Sequence, residues 1–346
     1  MRIGDTKKAL SDLNVLLEAH PSRFDALTKR AGLYFGEKKY DMGIIDVERA
    51  LYFNSNDVQV FSDVVFSFDC ANDKYAEQLI VGLFNKTRGQ TAEALKAFDE
   101  AIKINPNEPT AYHQRGLLLY NFMNQAKDAL EDFEAALQNR DKITSKDYMG
   151  ILLQDYGMVV LNLFVSEYKE KAPEVVPTFE TAPPLQRAFN SFSEAITYLP
   201  KQAQLKALSS IGSIHVIMNE NEQGIETFTK ALEMSKPKDP SEITRELRGD
   251  MAAALFNRAH VYHMKMLKHE EALKDYSAAI KLNPNNPLFY HYRSLLHIAM
   301  GNDELSKKDE DLAKKIQQRQ EEAMMQMKQM QNQMQNRMEN QPQGGQ

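Results

Sequence analysis

The chain has 346 residues, 42% of them hydrophobic, with a formal net charge of −6 and a pI near 5.8. It can bury a core of domain size or larger, and its acidic balance argues against a nucleic-acid backbone as the main ligand, because binding by counterion release needs clustered Lys and Arg. No apolar run of about 18 residues is evident, so no membrane-spanning segment is expected. MRIGDTKKALSDL lacks a signal-peptide core, and the single Cys70 cannot form an internal disulfide, so the default expectation is a cytosolic protein.

Helical periodicity runs through the whole chain, and most of it reads as helix pairs. In residues 1–23, Ala9, Leu13, Leu16 and Pro21 fit the second half of such a pair, and the first half does not precede them. Either the sequence is a fragment of a longer one, the favoured reading, or this helix caps the chain with one apolar side bare. Phe24–Asp57 predicts a full pair, with Ala31, Tyr34, Tyr40, Gly43, Val47 and Ala50 on shared faces and Asn54-Ser55 as its stop. Val58–Lys74 then supplies one helix where two are expected. This half-unit slip should reverse which helix lines the inside of any curve the pairs form.

Tyr75–Glu108 resumes the register with Gly82, Gly89, Ala94, Phe98, Ala101 and Pro106, and Pro109–Lys146 continues it with Tyr112, Gly116, Ala129, Phe133 and Ala136. In 147–204 the first helix, about Lys146–Lys169, is separated from the second, about Leu185–Leu199 with Ala188, Phe192 and Ala195, by the insertion Glu170–Pro184. Its four prolines predict a loop. A sharper alternative is a tethered strand, with Val175, Val176 and Phe179 folding back into a groove.

Leu205–Lys238 carries Leu208, Gly212, Gly224, Phe228 and Ala231, and Asp239–Asp250 reads as a longer link with a helix start at Asp239-Pro240-Ser241. Ala252–Asn286 is the clearest pair. Leu255, Ala259 and Tyr262 share one face of its first helix, Ala272, Tyr276, Ala279 and Ile280 share one face of its second, and Asn283-Pro284 ends it. Pro287–Ile316 is the last pair, and its second helix, SKKDEDLAKKI, keeps Ala313 but is otherwise charged, as a solvent-facing cap should be. In the tail, 317–346, helix formers dominate until Gln341-Pro342, and Ala323, Met327, Met330 and Met334 are spaced 4, 3 and 4 apart. This pattern suits a solvated, frayed helix, a short self-associating coiled coil or a flexible Met-rich docking face.

The recurring signature of a small residue, an aromatic four on and a small residue three further resembles the tetratricopeptide repeat family, whose unit of about 34 residues carries such positions in order. The resemblance covers roughly residues 3 to 316. It departs from the family in lacking Trp, with Leu27, Tyr112, Leu208, Phe256 or Tyr290 as the early large residue instead. The family implies an all-α, right-handed superhelical solenoid in which each pair touches only its neighbours, with a concave groove lined by the first helices. By that resemblance the groove residues are Phe256, Asn257, His260, His263, Met264, His291, Tyr292 and Leu295.

No phosphate-binding glycine loop, G-x-S-x-G, C-x-x-C or H-E-x-x-H occurs, so no catalytic residue and no cofactor is assigned. His260, His263 and His291 could together bind zinc, but imidazoles in a groove more often make hydrogen bonds, and no metal is assigned either. The family's clamp for the acidic chaperone C-terminus would use Lys, Asn and Arg where this chain has Ser209, Ser213, Asn257, Leu288 and Tyr292. Only Asn257 fits, so a chaperone tail is not the expected ligand. The resemblance implies a non-catalytic adaptor that binds a peptide or protein segment. A structural subunit of a larger complex is the alternative, and an RNA-binding repeat is disfavoured by the charge.

Overall fold

The structure, a computed structural model, describes residues 3–54, 56–67, 73–171, 175–236 and 244–339. Cys70, Ser55, Asp239-Pro240-Ser241 and Gln341-Pro342 lie outside the described residues, as do the side chains of Met327, Met330 and Met334. All regular structure among the described residues is helical, in two compact units, Met1–Pro200 and Lys201–Gln346.

The first unit holds α1 (Ile3–Ala19), α2 (Phe24–Gly36), α3 (Tyr40–Phe53), α4 (Asp57–Ser67), α5 (Lys74–Thr87), α6 (Thr91–Ile104), α7 (Pro109–Met123), α8 (Ala126–Gln138), α9 (Lys146–Lys171) and α10 (Pro183–Tyr198). The second holds α11 (Gln204–Ile217), α12 (Asn221–Met234), α13 (Arg245–Met264), α14 (His269–Leu282), α15 (Pro287–Ala299) and α16 (Asp303–Glu339). Starts follow local chemistry: Asp73 accepts from the Ala76 amide at the head of α5, Thr244 from Leu247 at α13 and Asn286 from Leu288 at α15, while Pro109, Pro183 and Pro287 open helices whose first amides need no partner. Helix α13 begins at Arg245, so the second half of the expected link Asp239–Asp250 is helix. Leu247 on its first turn is buried, and that packing outweighs the helix-weakening Gly249.

Four hairpins close on the small-aromatic contact. Gly82, Gly116, Gly157 and Gly212 on first helices lie over the buried rings of Phe98, Phe133, Phe192 and Phe228 on their partners. A Cβ at Gly157 would sit 2.9 Å from the Phe192 ring, so only glycine allows the two helices to approach this closely.

A second device was not anticipated. Arg30, Arg115, Arg258 and Arg293 on first helices each make a bidentate pair with an aspartate of the second helix, Asp46, Asp132, Asp275 and Asp309, at 2.6–2.9 Å. The remaining donor of each guanidinium reaches a preceding helix, at Asn14, Asp99, Thr229 and Ser277. One side chain thus ties three helices, which the rigid fork of arginine permits and a lysine ammonium does not. Burial pushes the Asp46 and Asp132 carboxyls up against the pull of their arginines, so these pairs fix geometry more than they add stability. The other hairpins carry neither partner, having Val81 with Ala97, Tyr156 with Ser191 and Ile211 with Thr227 at the matching places.

The expectation that each pair touches only its neighbours fails in the first unit. Helix α3 lies along the inner face of α5, α7 and α9. The Tyr40 ring is 4.7 Å from Tyr75, Glu48 reaches Lys86 at 3.7 Å and Gln114 at 3.4 Å, and Asp41 accepts from the amides of Thr144 and Ser145 at 2.7 and 2.6 Å. Asp41 therefore pins the two residues leading into α9 from 103 residues away, while the Ser145 hydroxyl accepts from the Tyr148 amide as the cap of the helix. The cause is the half unit: with α4 alone between the hairpins, α2–α3 is turned so that its second helix faces inward, the reversal the register slip implies.

Helix α9 also differs from expectation. It is long and apolar enough to cross a membrane by length and composition, although no such segment was expected. Its apolar length is used here as core, with Tyr148, Leu152, Leu153, Val159 and Val160 buried between neighbouring helices. In the insertion, Val175 and Val176 are exposed and Phe179 packs on Phe189 of α10 at 5.2 Å, so the described part of the segment is a surface loop and not a strand in a groove.

Candidate interaction groove

The inner face of the first unit is occupied. Ala76, Leu79, Ile80 and Leu83 of α5 and Thr110, His113 and Gln114 of α7, all at groove positions, are buried. His113 is held by the Tyr148 hydroxyl at 2.8 Å and the Asp155 carboxylate at 3.0 Å. Glu108 at the head of α7, half-buried and facing Asp41, has its carboxyl pushed up to about 7, burial being the larger cause and the Asp41 charge the second.

In the second unit the corresponding face, on α13 and α15, lies open. Its floor is a belt of rings: Phe256 stacks on Phe289 at 5.0 Å and meets Tyr292 edge-on at 5.3 Å, and Tyr292 meets His260 edge-on at 5.0 Å. Tyr276 of α14 lies under Phe256 at 5.6 Å, fully buried, its hydroxyl without a hydrogen bond, and burial drives its ionisation far above the ordinary phenol range. Above this floor Leu288, Leu295 and Ile298 are 47%, 38% and 57% exposed along α15, and Met264 is exposed at the end of α13. Asn257 is half-buried beside Phe256 in sequence.

The structure thus brings Phe256, His260 and Tyr292 together, with His291 (5.7 Å from Tyr292) at the edge, where its Nδ1 lies 3.0 Å from Glu310 of α16. His263 is a correction. It is buried between α13 and α14, 6.2 Å from Tyr276 and 6.1 Å from His269, and does not face the groove. The turn after α13 is longer, with 17 positions from Ala259 to Tyr276 against 16 from Gly82 to Phe98 and Leu267 in a left-handed conformation, and His269 covers the last helical turn. The three imidazoles therefore do not form one ligand set. Burial lowers the pKa of His260, with Lys265 adding to it, so this ring is neutral near pH 7.

The cations of this face are already engaged, since Arg258 and Arg293 are committed to Asp275 and Asp309. Charged residues also end the stack. Earlier second helices present apolar trios such as Leu95, Phe98 and Ile102 or Leu273, Tyr276 and Ile280 to the next hairpin, whereas α16 has Lys307, Glu310 and Lys314 there, and Glu310 turns back to Ser294 and His291.

Comparison with known proteins agrees with this architecture. Residues 87–121 and 268–301 match a family model described as TPR repeat, and 205–237 one described as tetratricopeptide repeat. The DnaJ homolog subfamily C member 3 of Gallus gallus is 24% identical over 227 residues, covering 62% of this chain and 44% of the relative, so the chain spans less than half the length of the curated relative it matches. Among solved structures, a tetratricopeptide repeat protein from Parabacteroides merdae superposes with a TM-score of 0.50 at 15% identity, over 83% of this chain and 93% of that one. A chain of the APC/C hetero-tetramer Cut9-Hcn1 gives 0.53 at 14%, over 90% and 56%. IFIT1 with m7Gppp-AAAA gives 0.54 at 14%, over 90% and 68%. At these identities the likeness shows the fold. Three segments of the chain are thus tetratricopeptide repeats, and the described residues fold throughout as all-α helical hairpins of that kind.

Proposed function

We propose that the chain is a non-catalytic interaction scaffold that takes a segment of a protein partner in the groove on α13 and α15. The observation that carries this reading is the exposed row Leu288, Leu295 and Ile298 set over the ring belt Phe256–Tyr292–His260, on an inner face that no helix of its own unit covers among the described residues. A rigid, preformed row of helices lowers the ordering cost of binding, because only the ligand has to be fixed. The fold is one that ordinarily supplies surfaces rather than chemistry. A chaperone tail does not suit the site, since Ser209, Ser213, Leu288 and Tyr292 offer its carboxylates no cation.

Crosslinking mass spectrometry on a pull-down of the full chain identifies the partner and the residues it touches. Phe256→Ala with Tyr292→Ala should then weaken that partner at least tenfold, and unchanged affinity would move the site elsewhere.

A further inference from the structure

The groove reading leaves the ligand open, and α15 and α16 narrow it. Along α15 the groove residues Leu288, Tyr292, Leu295 and Ala299 are spaced 4, 3 and 4 apart, a helical stripe about 16 Å long at 1.5 Å per residue. An extended peptide laid on such a stripe would need partners for its own amides and carbonyls, and the face offers few: Asn257, His260 and Tyr292. A helix satisfies its backbone internally and needs only apolar contact.

The chain itself carries a helix with the matching pattern. Helix α16 packs on α15 through the buried Ser306, Asp309 and Ala313, and further along Gln320 donates to the Asn285 carbonyl at 2.7 Å. It then runs on to Glu339, ~28 Å past that contact. Positions 321–326 are exposed, Met324 by 71% and Met325 by 60%. In the sequence beyond Gln320, Ala323, Met327, Met330 and Met334 repeat the 4-3-4 spacing of the α15 stripe over the same distance. Methionine suits such a role because its unbranched side chain adapts to the surface it meets. The two stripes cannot meet within one chain. Helix α16 is continuous and runs antiparallel to α15, so beyond Asn285 its tail moves away from Leu288–Ala299.

We propose that two copies of the chain pair reciprocally, with the helix Ala323–Met334 of each lying along the Leu288–Ala299 stripe of the other. This rests on the open groove described above. Two tails in two grooves form a closed two-fold assembly, and each tail gains a preformed partner, which a free coiled coil of barely two heptads would lack.

The test is sedimentation velocity on the full chain at micromolar concentration. The expected species is a dimer, and truncation after Gln320, or Leu295→Lys with Ile298→Lys, should each weaken pairing more than tenfold. Leu295 and Ile298 are exposed, and circular dichroism melts check that both variants fold. Mixed together, the truncated chain supplies an intact groove and the lysine variant an intact tail, and a one-to-one heterodimer is expected. A monomeric full chain would overturn the proposal, and so would a lysine variant that dimerises as before, since that means the tails pair with each other. If the full chain is monomeric while Phe256→Ala with Tyr292→Ala still weakens an identified partner, self-pairing fails and the groove reading stands.

Discussion

The inner faces of the two units have the same origin and opposite fates. In the first unit, groove positions on α5 and α7 are buried under α3, while in the second the equivalent positions on α13 and α15 stay open. A single missing helix beside α4 separates the two outcomes, because it turns α2–α3 inward. The repeat fold supplies a concave surface, and the order of helices decides whether the chain keeps that surface for itself.

The largest expected effect comes from placing one charge on each face. Ile44→Glu puts a carboxylate into the filled groove, where Ile44 is fully buried, and should destabilise the chain by about 4 kcal/mol or more. Ile298→Glu on the open groove should change stability by less than about 0.5 kcal/mol. Urea denaturation measures both, and similar losses would erase the distinction between the faces.

The next contrast concerns one staple. Arg258→Leu alone leaves Asp275 buried without its cation and should cost about 3 kcal/mol, whereas Arg258→Leu with Asp275→Leu should recover most of that loss. A double variant as weak as the single would show that the ion pair itself stabilises.

Acidification should move the units in opposite directions. Glu108 has a folded pKa of about 7, above its ordinary 4.5, so its contribution to stability is full at low pH and is lost as pH rises through 7. Between pH 8 and 5.5 the first unit should gain about 1–2 kcal/mol, and Glu108→Gln should abolish the gain. His260, His263 and His297 are held neutral by burial, below their ordinary 6.5, so the second unit should lose stability as pH falls below 6.5. Amide hydrogen exchange, corrected for its intrinsic pH dependence, resolves the two. Smallest is Asp41→Ala, which removes the remote anchor of the residues leading into α9 and should cost about 1 kcal/mol.

Much of the fold was legible in the sequence because small-aromatic spacing is local. Ala94–Phe98–Ala101 and Ala272–Tyr276–Ala279 announce their hairpins within one helix. The closure of α3 over α7 and α9 was not legible, because contacts such as Asp41 with Thr144 span 103 residues and leave no short-range pattern. The arginine staples could have been found, since Arg and Asp recur 16 or 17 positions apart in four hairpins and are absent together from the others. On α13 and α15, the adjacency of Phe256, His260 and Tyr292 followed from repeat register. His263 did not, because one extra residue in the turn after α13 alters what covers its ring.

The paired occurrence of the arginines and aspartates also bears on how the hairpins can be redesigned. Losing the arginine alone strands a buried aspartate, so no single substitution turns the charged hairpin into the neutral Val81–Ala97 kind without that cost. Converting one kind of hairpin into the other without leaving a lone charge therefore requires both positions to change together.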